Sequence, residues 1–136
     1  MTFVTHRGVV RPHELDHMGH MNVVAYAAKF DEGTWSFFND IGLTPSYLRS
    51  SGKATAAVRY EIAYERELLA GDVVTVRTRL TKLGRTSFAF RHEMWNGETG
   101  DRVATADVTG VLIDRAGRRP VAWPEDLAER LRALIG

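Results

Sequence analysis

The chain has 136 residues, 44% of them hydrophobic, and its 18 basic and 17 acidic side chains leave a formal net charge of +1. This length predicts one domain over residues 1–136 with a core, and the balanced charge argues against nucleic acid as the main partner. The absence of cysteine excludes disulfides, thiolate nucleophiles and sulfur-ligated metals. No run of roughly 18 apolar residues could span a membrane, and no charged amino terminus precedes an apolar segment. We therefore expect a cytoplasmic protein without a membrane partner.

The first elements in chain order are a strand, a polar loop and a long helix. Residues 3–11 predict a strand that Pro12 ends, and a loop follows to about residue 21. Residues 22–40 predict a helix of roughly five turns with Asn22 as its N-cap. Apolar side chains fall on most sides of this helix, so we expect a sheet to curve around and bury it, with Gly33 allowing close approach.

Most of the remaining chain alternates with a period of two. A short helix near residues 44–51 comes first, and residues 55–66 then predict a half-buried strand whose apolar face carries Ala56, Val58, Tyr60, Ile62 and Tyr64. The alternation returns in three segments separated by short turns that favour antiparallel neighbours, at residues 74–80, 88–94 and 104–112. A closing helix is predicted over residues 124–135. This is an α+β order in which the sheet has a single central helix to wrap.

The stretch that carries candidate chemistry is DHMGHMN at residues 16–22, a glycine-containing turn directly ahead of the long helix. Asp16 precedes backbone N–H groups that have no partner within the helix and that carry the positive end of its dipole. Such a place can hold a reacting carbonyl group. A carboxylate in this position also commonly accepts hydrogen bonds from the backbone of its own turn, so a purely structural role for Asp16 stays open.

A wider pattern in this region resembles a known family. Five residues match the motif D-x-x-G-H-x-N-x-x-x-Y of hotdog-fold acyl-CoA thioesterases of the 4-hydroxybenzoyl-CoA thioesterase type, namely Asp16, Gly19, His20, Asn22 and Tyr26. The similarity covers nearly the whole chain, and it departs from the family at Val23, where many members carry a second asparagine. The resemblance implies an α+β hotdog fold, in which a curved antiparallel sheet wraps around one long central helix, and it implies no cofactor.

The resemblance also implies hydrolysis of acyl-CoA and assigns roles to the matching residues. A thioester needs no Ser-His-Asp triad, because its leaving thiol has a pKa of roughly 8.5 and a carboxylate with an oxyanion donor suffices. Asp16 is expected to act as the base for water or as a nucleophile that forms an anhydride, with the Val23 backbone N–H as oxyanion donor. His20 would orient substrate or Asp16. Asn22 and Tyr26 would contact substrate, with a helix cap and a core aromatic as the respective alternatives.

Coenzyme A carries phosphates, so basic groups are expected near the mouth of the pocket. The resemblance favours the turn formed by Arg85, Thr86 and Ser87, ahead of Lys82 and Arg66. Hotdog domains also pair edge to edge, which implies a homodimer or homotetramer with sites at the subunit interface.

Several alternatives remain open at this stage. Glu32 is a second candidate carboxylate, because other hotdog thioesterases use an acidic residue on the helix. The loop offers possible metal ligands, but its proline and glycine break the helix that an i, i+4 ligand pair needs, so we predict no metal at His13, Asp16, His17 and His20. In a hotdog hydratase or dehydratase the histidine usually lies five positions after the aspartate, whereas His20 lies four positions after Asp16. A non-catalytic acyl-CoA-binding hotdog protein is the remaining alternative.

Overall fold

Five antiparallel strands form one sheet in the computed structural model, which describes residues 1–135. The strands are β1 (Thr2–Val9), β2 (Lys53–Tyr64), β3 (Val73–Leu83), β4 (Ser87–Asn96) and β5 (Arg102–Asp114), and their order in the sheet is β1-β3-β4-β5-β2. The helices are α1 (Val23–Ile41), α2 (Pro45–Ser50) and α3 (Glu125–Leu134), and a 3₁₀ turn at Pro12–Glu14 precedes α1. The α+β prediction is confirmed. No helix within residues 1–135 is long and apolar enough to cross a membrane.

Helix α1 begins and ends where the sequence predicts. The Asn22 side chain caps it by accepting a hydrogen bond from the Ala25 N–H at 2.8 Å, and Gly42 ends it with a left-handed φ of 95°. Gly33 is buried against the sheet, where a Cβ would lie 3.1 Å from the Thr5 hydroxyl oxygen. The close approach predicted at Gly33 is therefore confirmed, and it seats α1 on the sheet.

Only one side of α1 is buried, which corrects the prediction that the sheet covers most sides of the helix. The opposite side exposes apolar residues to solvent, namely Val23, Val24, Ala27, Ala28 and Trp35. The helix lies closest to β1 and β3. Its exposed side therefore faces a gap toward β2, which Trp35 lines.

Strand β2 is far more exposed than the half-buried strand that the sequence predicts. It lies at the sheet edge and pairs with β5 alone, and its exposed fractions reach 60% at Val58 and 49% at Tyr64. A bulge between Ala57 and Arg59 also breaks the alternation. Ala56 pairs with Val111 and Tyr60 with Val108, so these two β2 side chains lie on opposite faces. The single apolar face assigned to residues 56–64 is therefore wrong at Ala56.

The apolar core lies between the sheet and the helices in two clusters. One cluster is closed by α3 and includes Phe37, Phe88, Phe90, Trp123, Leu127 and Leu131. The other lies nearer the start of α1 and includes Tyr26, Phe30, Val76, Met94 and Ala106. Inward residues of β3, β4 and β5 are buried while outward positions carry ion pairs such as Arg91–Asp107 at 2.8 Å. The alternation predicted for these three strands is confirmed.

A buried chain of hydrogen bonds links the sheet to α1. The hydroxyls of Thr5 and Thr78 lie 2.7 Å apart, and Thr78 contacts Nδ1 of His92 at 2.6 Å. On the other side of the ring, His92 Nε2 lies 2.8 Å from the Thr34 hydroxyl. Burial lowers the pKa of His92 from 6.5 to about 4. The imidazole is therefore neutral at pH 7 and joins β1, β3, β4 and α1 as a polar link.

We expect this imidazole to make the fold sensitive to acid. The unfolded chain binds a proton at His92 below pH 6.5, whereas the folded chain resists protonation until about pH 4, so this contribution to stability is present above pH 6.5 and is lost as pH falls to about 4. The difference between these two pKa values corresponds to about 3 kcal/mol in the free energy of unfolding. The variant His92→Gln keeps a donor and an acceptor without titrating. Urea unfolding at pH 7, 5.5 and 4.5 should show the wild-type advantage over this variant shrinking with acid, and parallel losses in both proteins would contradict the assignment.

Candidate active site

The loop ahead of α1 folds into a tight hairpin that fixes Asp16. Leu15 and Met21 pair across it, the Asp16 N–H donates to the His20 carbonyl at 2.7 Å, and Gly19 makes the turn with a φ of 81°. Asp16 Oδ1 accepts hydrogen bonds from the N–H groups of Met18 at 2.8 Å and His20 at 3.2 Å. The structural role that the sequence left open for Asp16 is therefore real, and it fixes the orientation of the carboxylate.

The same contacts favour the ionised form of Asp16 and engage only one of its two carboxylate oxygens. The His20 N–H, then the Met18 N–H, together with the nearby imidazoles of His17 and His20, hold the pKa of Asp16 below its usual range. The second oxygen, Oδ2, makes no hydrogen bond to any of the residues that the structure describes. An exposed carboxylate held by one oxygen can use the other to accept a proton from water or to attack an acyl carbon.

The first turn of α1 supplies unpaired backbone donors. The Asn22 backbone carbonyl accepts hydrogen bonds from the N–H groups of Ala25 and Tyr26. The Asn22 side chain also accepts from the Ala25 N–H. Across residues 1–135, no acceptor pairs with the N–H groups of Val23 and Val24. Because these donors lie at the positive end of the helix dipole, they suit a developing oxyanion. The structure thus places Asn22 as the helix cap, the alternative that the sequence offered.

Asp16 and Val23 line one cavity of about 350 Å³. Two predicted residues, His20 and Tyr26, line it as well, and its far wall is formed by residues 64–67. Four predicted site residues therefore meet at one cavity, because they lie close together in one loop and the helix start that follows it.

His20 and Tyr26 tie this far wall to the loop. His20 Nε2 lies 3.1 Å from Glu67 Oε2, so the imidazole contacts Glu67, while its bond to the Asp16 carboxylate comes from the backbone. The Tyr26 hydroxyl donates to the Arg66 carbonyl at 3.1 Å, and its ring packs edge-on against Tyr64 at 5.1 Å. Burial, with the Tyr64 hydroxyl nearby, raises the pKa of Tyr26. The phenol is thus a neutral hydrogen-bond donor at the wall of the cavity.

The sequence interpretation did not identify Glu67, and it offered Glu32 as a second candidate carboxylate. Glu67 lies 47 positions after His20, and no motif in the sequence links the two. Glu32 pairs with His6 Nδ1 at 2.9 Å on the β1 side of α1 and does not line the Asp16 cavity.

The predicted phosphate-binding turn lies far from Asp16 within one chain. Arg85, Thr86 and Ser87 follow the end of β3, where the carbonyls of Arg85 and Ser87 accept hydrogen bonds from Trp123, each at 3.1 Å. The start of β3 lies beside the end of β1, a few residues ahead of the loop at residues 15–21, since the Val10 N–H donates to the Asp72 carbonyl at 2.9 Å. The eleven residues of β3 separate the two ends by roughly 33 Å. A single chain does not bring this turn to the Asp16 cavity.

A second, largely apolar pocket of about 170 Å³ lies between α1 and the inner face of β4, β5 and β2. Its floor includes Phe88 and Gly110, where a Cβ on Gly110 would lie 2.8 Å from the Phe88 ring. Asp31 and Tyr60 also line it. Burial, followed by the Asp31 carboxylate, raises the pKa of Tyr60 to about 12, so its hydroxyl stays protonated. The glycine is therefore what allows β5 to pack directly against the Phe88 ring at this floor.

Comparison with known proteins identifies the family. Residues 10–131 match the family described as the Thioesterase-like superfamily. The chain is 31% identical over 120 residues to the L-carnitine dehydrogenase/betainyl-CoA thioesterase of Agrobacterium fabrum, a match that covers 88% of this chain and 24% of that protein. It is 26% identical over 130 residues to the long-chain acyl-CoA thioesterase FadM of Escherichia coli, which covers 93% of this chain and 95% of that protein. The chain therefore spans about a quarter of the first relative and nearly all of the second.

The fold has close structural counterparts. The Staphylococcus aureus protein SAV2348, solved in complex with CoA, superposes with a TM-score of 0.88 at 21% identity, covering 98% of this chain and 85% of that one. This likeness, with the five-stranded antiparallel sheet, confirms the hotdog fold that the motif at residues 16–26 implied. The chain belongs to the thioesterase-like superfamily and has the hotdog fold.

Proposed function

We propose that the protein hydrolyses an acyl-CoA thioester to a free acid and coenzyme A. The observation that carries this proposal is that Asp16, whose pKa lies below its usual range, and Val23, whose N–H is unpaired within residues 1–135, line the same cavity. Membership of the thioesterase-like superfamily supports it. The CoA bound to the structural counterpart from Staphylococcus aureus supports a coenzyme A thioester as the substrate.

In the general-base form of this mechanism, the Val23 N–H donates to the thioester oxygen while Asp16 Oδ2 faces a water molecule. The water oxygen bonds to the carbonyl carbon as its proton passes to Asp16, and the carbonyl electron pair moves onto the oxygen held by the helix start. Collapse of this intermediate breaks the C–S bond and expels the coenzyme A thiolate. No separate general acid is needed, because a thiol of pKa roughly 8.5 leaves readily.

In the nucleophilic form, Asp16 Oδ2 itself bonds to the carbonyl carbon and displaces the thiolate, leaving an acyl-aspartyl anhydride. Water then hydrolyses this anhydride and regenerates the carboxylate. Single turnover in ¹⁸O-labelled water distinguishes the two forms, because only the anhydride route can place label in Asp16.

The proposal is tested by free-thiol release from a panel of acetyl-, betainyl-, octanoyl-, palmitoyl- and benzoyl-CoA. Turnover of at least one member is the expected result. Binding of acyl-CoA without thiol release would favour a non-catalytic binding protein, and hydration of an enoyl-CoA without thiol release would favour a hydratase. Either result would overturn the thioesterase proposal.

The apolar pocket supports long, straight acyl groups within this panel. Val23, Ala27 and Asp31 follow one another at four-residue intervals on one face of α1, so the pocket begins about 12 Å along the helix from the Val23 amide. A straight acyl chain held at Val23 can extend past the small Ala27 side chain into it. A betainyl group, with one carbon between carbonyl and nitrogen, is too short to reach. An extended octanoyl chain falls short of this distance and a palmitoyl chain exceeds it, so we expect palmitoyl-CoA to exceed both octanoyl-CoA and betainyl-CoA in kcat/KM.

Binding of the coenzyme A phosphates requires the assembly that the family resemblance implies. Because β3, whose ends lie roughly 33 Å apart, separates Arg85 from the loop at residues 15–21 of its own chain, we expect Arg85 to serve an Asp16 cavity in another copy. We propose a homodimer or homotetramer in which the turn at residues 85–87 meets the phosphates of a CoA bound to a neighbouring chain.

Charge reversal tests this role of Arg85. Arg85→Glu should raise KM for acyl-CoA roughly 10- to 100-fold, the loss of a charge-assisted hydrogen bond, and should leave KM unchanged for the same acyl group on N-acetylcysteamine, which has no phosphate. Arg130→Glu, an exposed arginine on α3, is the matched control. Equal rises in KM for both thioesters would count against phosphate binding by Arg85.

A further inference from the structure

Lys29 is a charged residue buried in the sheet-facing side of α1. Only 7% of the residue is exposed, and lysine is rarely buried unless its ammonium group is paired. The Lys29 ammonium lies 3.1 Å from Glu14 Oε2 and 3.4 Å from Glu14 Oε1, and it donates to the Val9 carbonyl at 3.5 Å. The pair joins the interior of the helix to the 3₁₀ turn at Pro12–Glu14.

Glu14 in turn binds backbone groups on both sides of the loop at residues 15–21. Its Oε1 accepts the Arg11 N–H at 2.7 Å, and its backbone carbonyl accepts the Asn22 N–H at 2.8 Å. Although partial burial acts in the opposite direction, the Arg11 N–H and the Lys29 ammonium keep the pKa of Glu14 below its usual value. The hairpin that presents Asp16 lies between these two anchor points.

We propose that Lys29 is a positioning residue for Asp16, acting through Glu14 to hold the loop at residues 15–21 against the start of α1. The inference rests on the proposed thioesterase function. The Asp16 carboxylate and the Val23 N–H belong to different elements, and their separation depends on where this loop sits. Asn22 is the only residue between the hairpin and α1, and its N–H is held by Glu14. Fixing Glu14 therefore fixes the base relative to the oxyanion donor.

The test compares Lys29→Met, which removes the charge at similar length, with Lys29→Arg, which keeps it. Lys29→Met should lower kcat roughly 10- to 100-fold, because small misplacements of a catalytic group cost this much, while KM for acyl-CoA changes little. Lys29→Arg should retain most of kcat. Glu14→Gln, which keeps an acceptor for the Arg11 N–H, should follow Lys29→Met and serves if Lys29→Met does not fold.

A purely structural role is distinguished by two further measurements. Leu131→Ala, a core variant on α3, should lower the melting temperature but leave kcat of the folded protein unchanged. The pKa of Asp16, followed by NMR of its carboxyl carbon, should rise in Lys29→Met as the carboxylate moves away from the positive end of the α1 dipole. An unchanged Asp16 pKa, or a Lys29→Met protein that keeps kcat with only lower stability, would overturn the positioning role. Absence of thiol release by the wild type would instead overturn the proposed function, and the NMR comparison still decides the positioning.

Discussion

Replacing Asp16 with asparagine should lower kcat/KM for acyl-CoA by roughly 10² to 10⁴, the usual contribution of a general base. The amide oxygen of asparagine can still accept the N–H groups of Met18 and His20, so the hairpin stays folded. What the variant loses is the ionised Oδ2, which takes the proton from water or attacks the carbonyl carbon. Thiol release from the preferred acyl-CoA, with circular dichroism and melting temperature as checks on folding, measures the effect.

Asp72→Asn is the matched control for this variant. Asp72 also uses a carboxylate oxygen to accept a backbone N–H in a turn, that of Leu69 at 2.8 Å, but it does not line the Asp16 cavity. It should keep wild-type kcat/KM. Because backbone donors hold the pKa of Asp16 below its usual range, wild-type kcat/KM should decline with acid only below the ordinary pKa of an aspartate. If Asp16→Asn kept wild-type kcat/KM, Asp16 would have only a structural role, as the acceptor of hydrogen bonds within its own turn.

Much of the fold follows from local patterns. The cap at Asn22, the stop at Gly42 and the alternation along β3 to β5 are each set by neighbouring residues, and the structure confirms them. Strand β2 differs because alternation reports that a strand has two unlike faces and does not report what covers them. Its edge position depends on strand order, and the bulge after Ala57 depends on pairing with β5. Neither can be read from residues 53–64 alone.

The candidate site divides in the same way. Asp16, His20, Val23 and Tyr26 meet because they lie within eleven consecutive positions of one turn and one helix start. Glu67 joins them through the path of the chain after β2, which no local pattern fixes. Lys29 was missed for a related reason. A lysine among apolar residues on a helix is expected at the solvent face, and its burial depends on a carboxylate from the preceding turn.

The assembly gives the second large expected effect. Within residues 1–135, the outer edge of the twelve-residue strand β2 has no neighbouring strand, and exposed apolar side chains of β2 and α1 lie beside it. Long apolar edges of this kind pair with another strand. Val58→Lys places a charge at the middle of that edge, and it should convert the proposed dimer or tetramer to a monomer in light scattering at micromolar concentration.

Val4→Lys is the matched control, because Val4 is 65% exposed on β1 at the opposite edge of the sheet. It should leave the oligomer intact. Loss of assembly should also raise KM for acyl-CoA, since we expect Arg85 to serve a cavity in another chain, and this rise should not add to that of Arg85→Glu in the double variant. A Val58→Lys monomer with wild-type KM would show that each chain binds coenzyme A with its own residues. It would also remove the argument that places Arg85 at a neighbouring site.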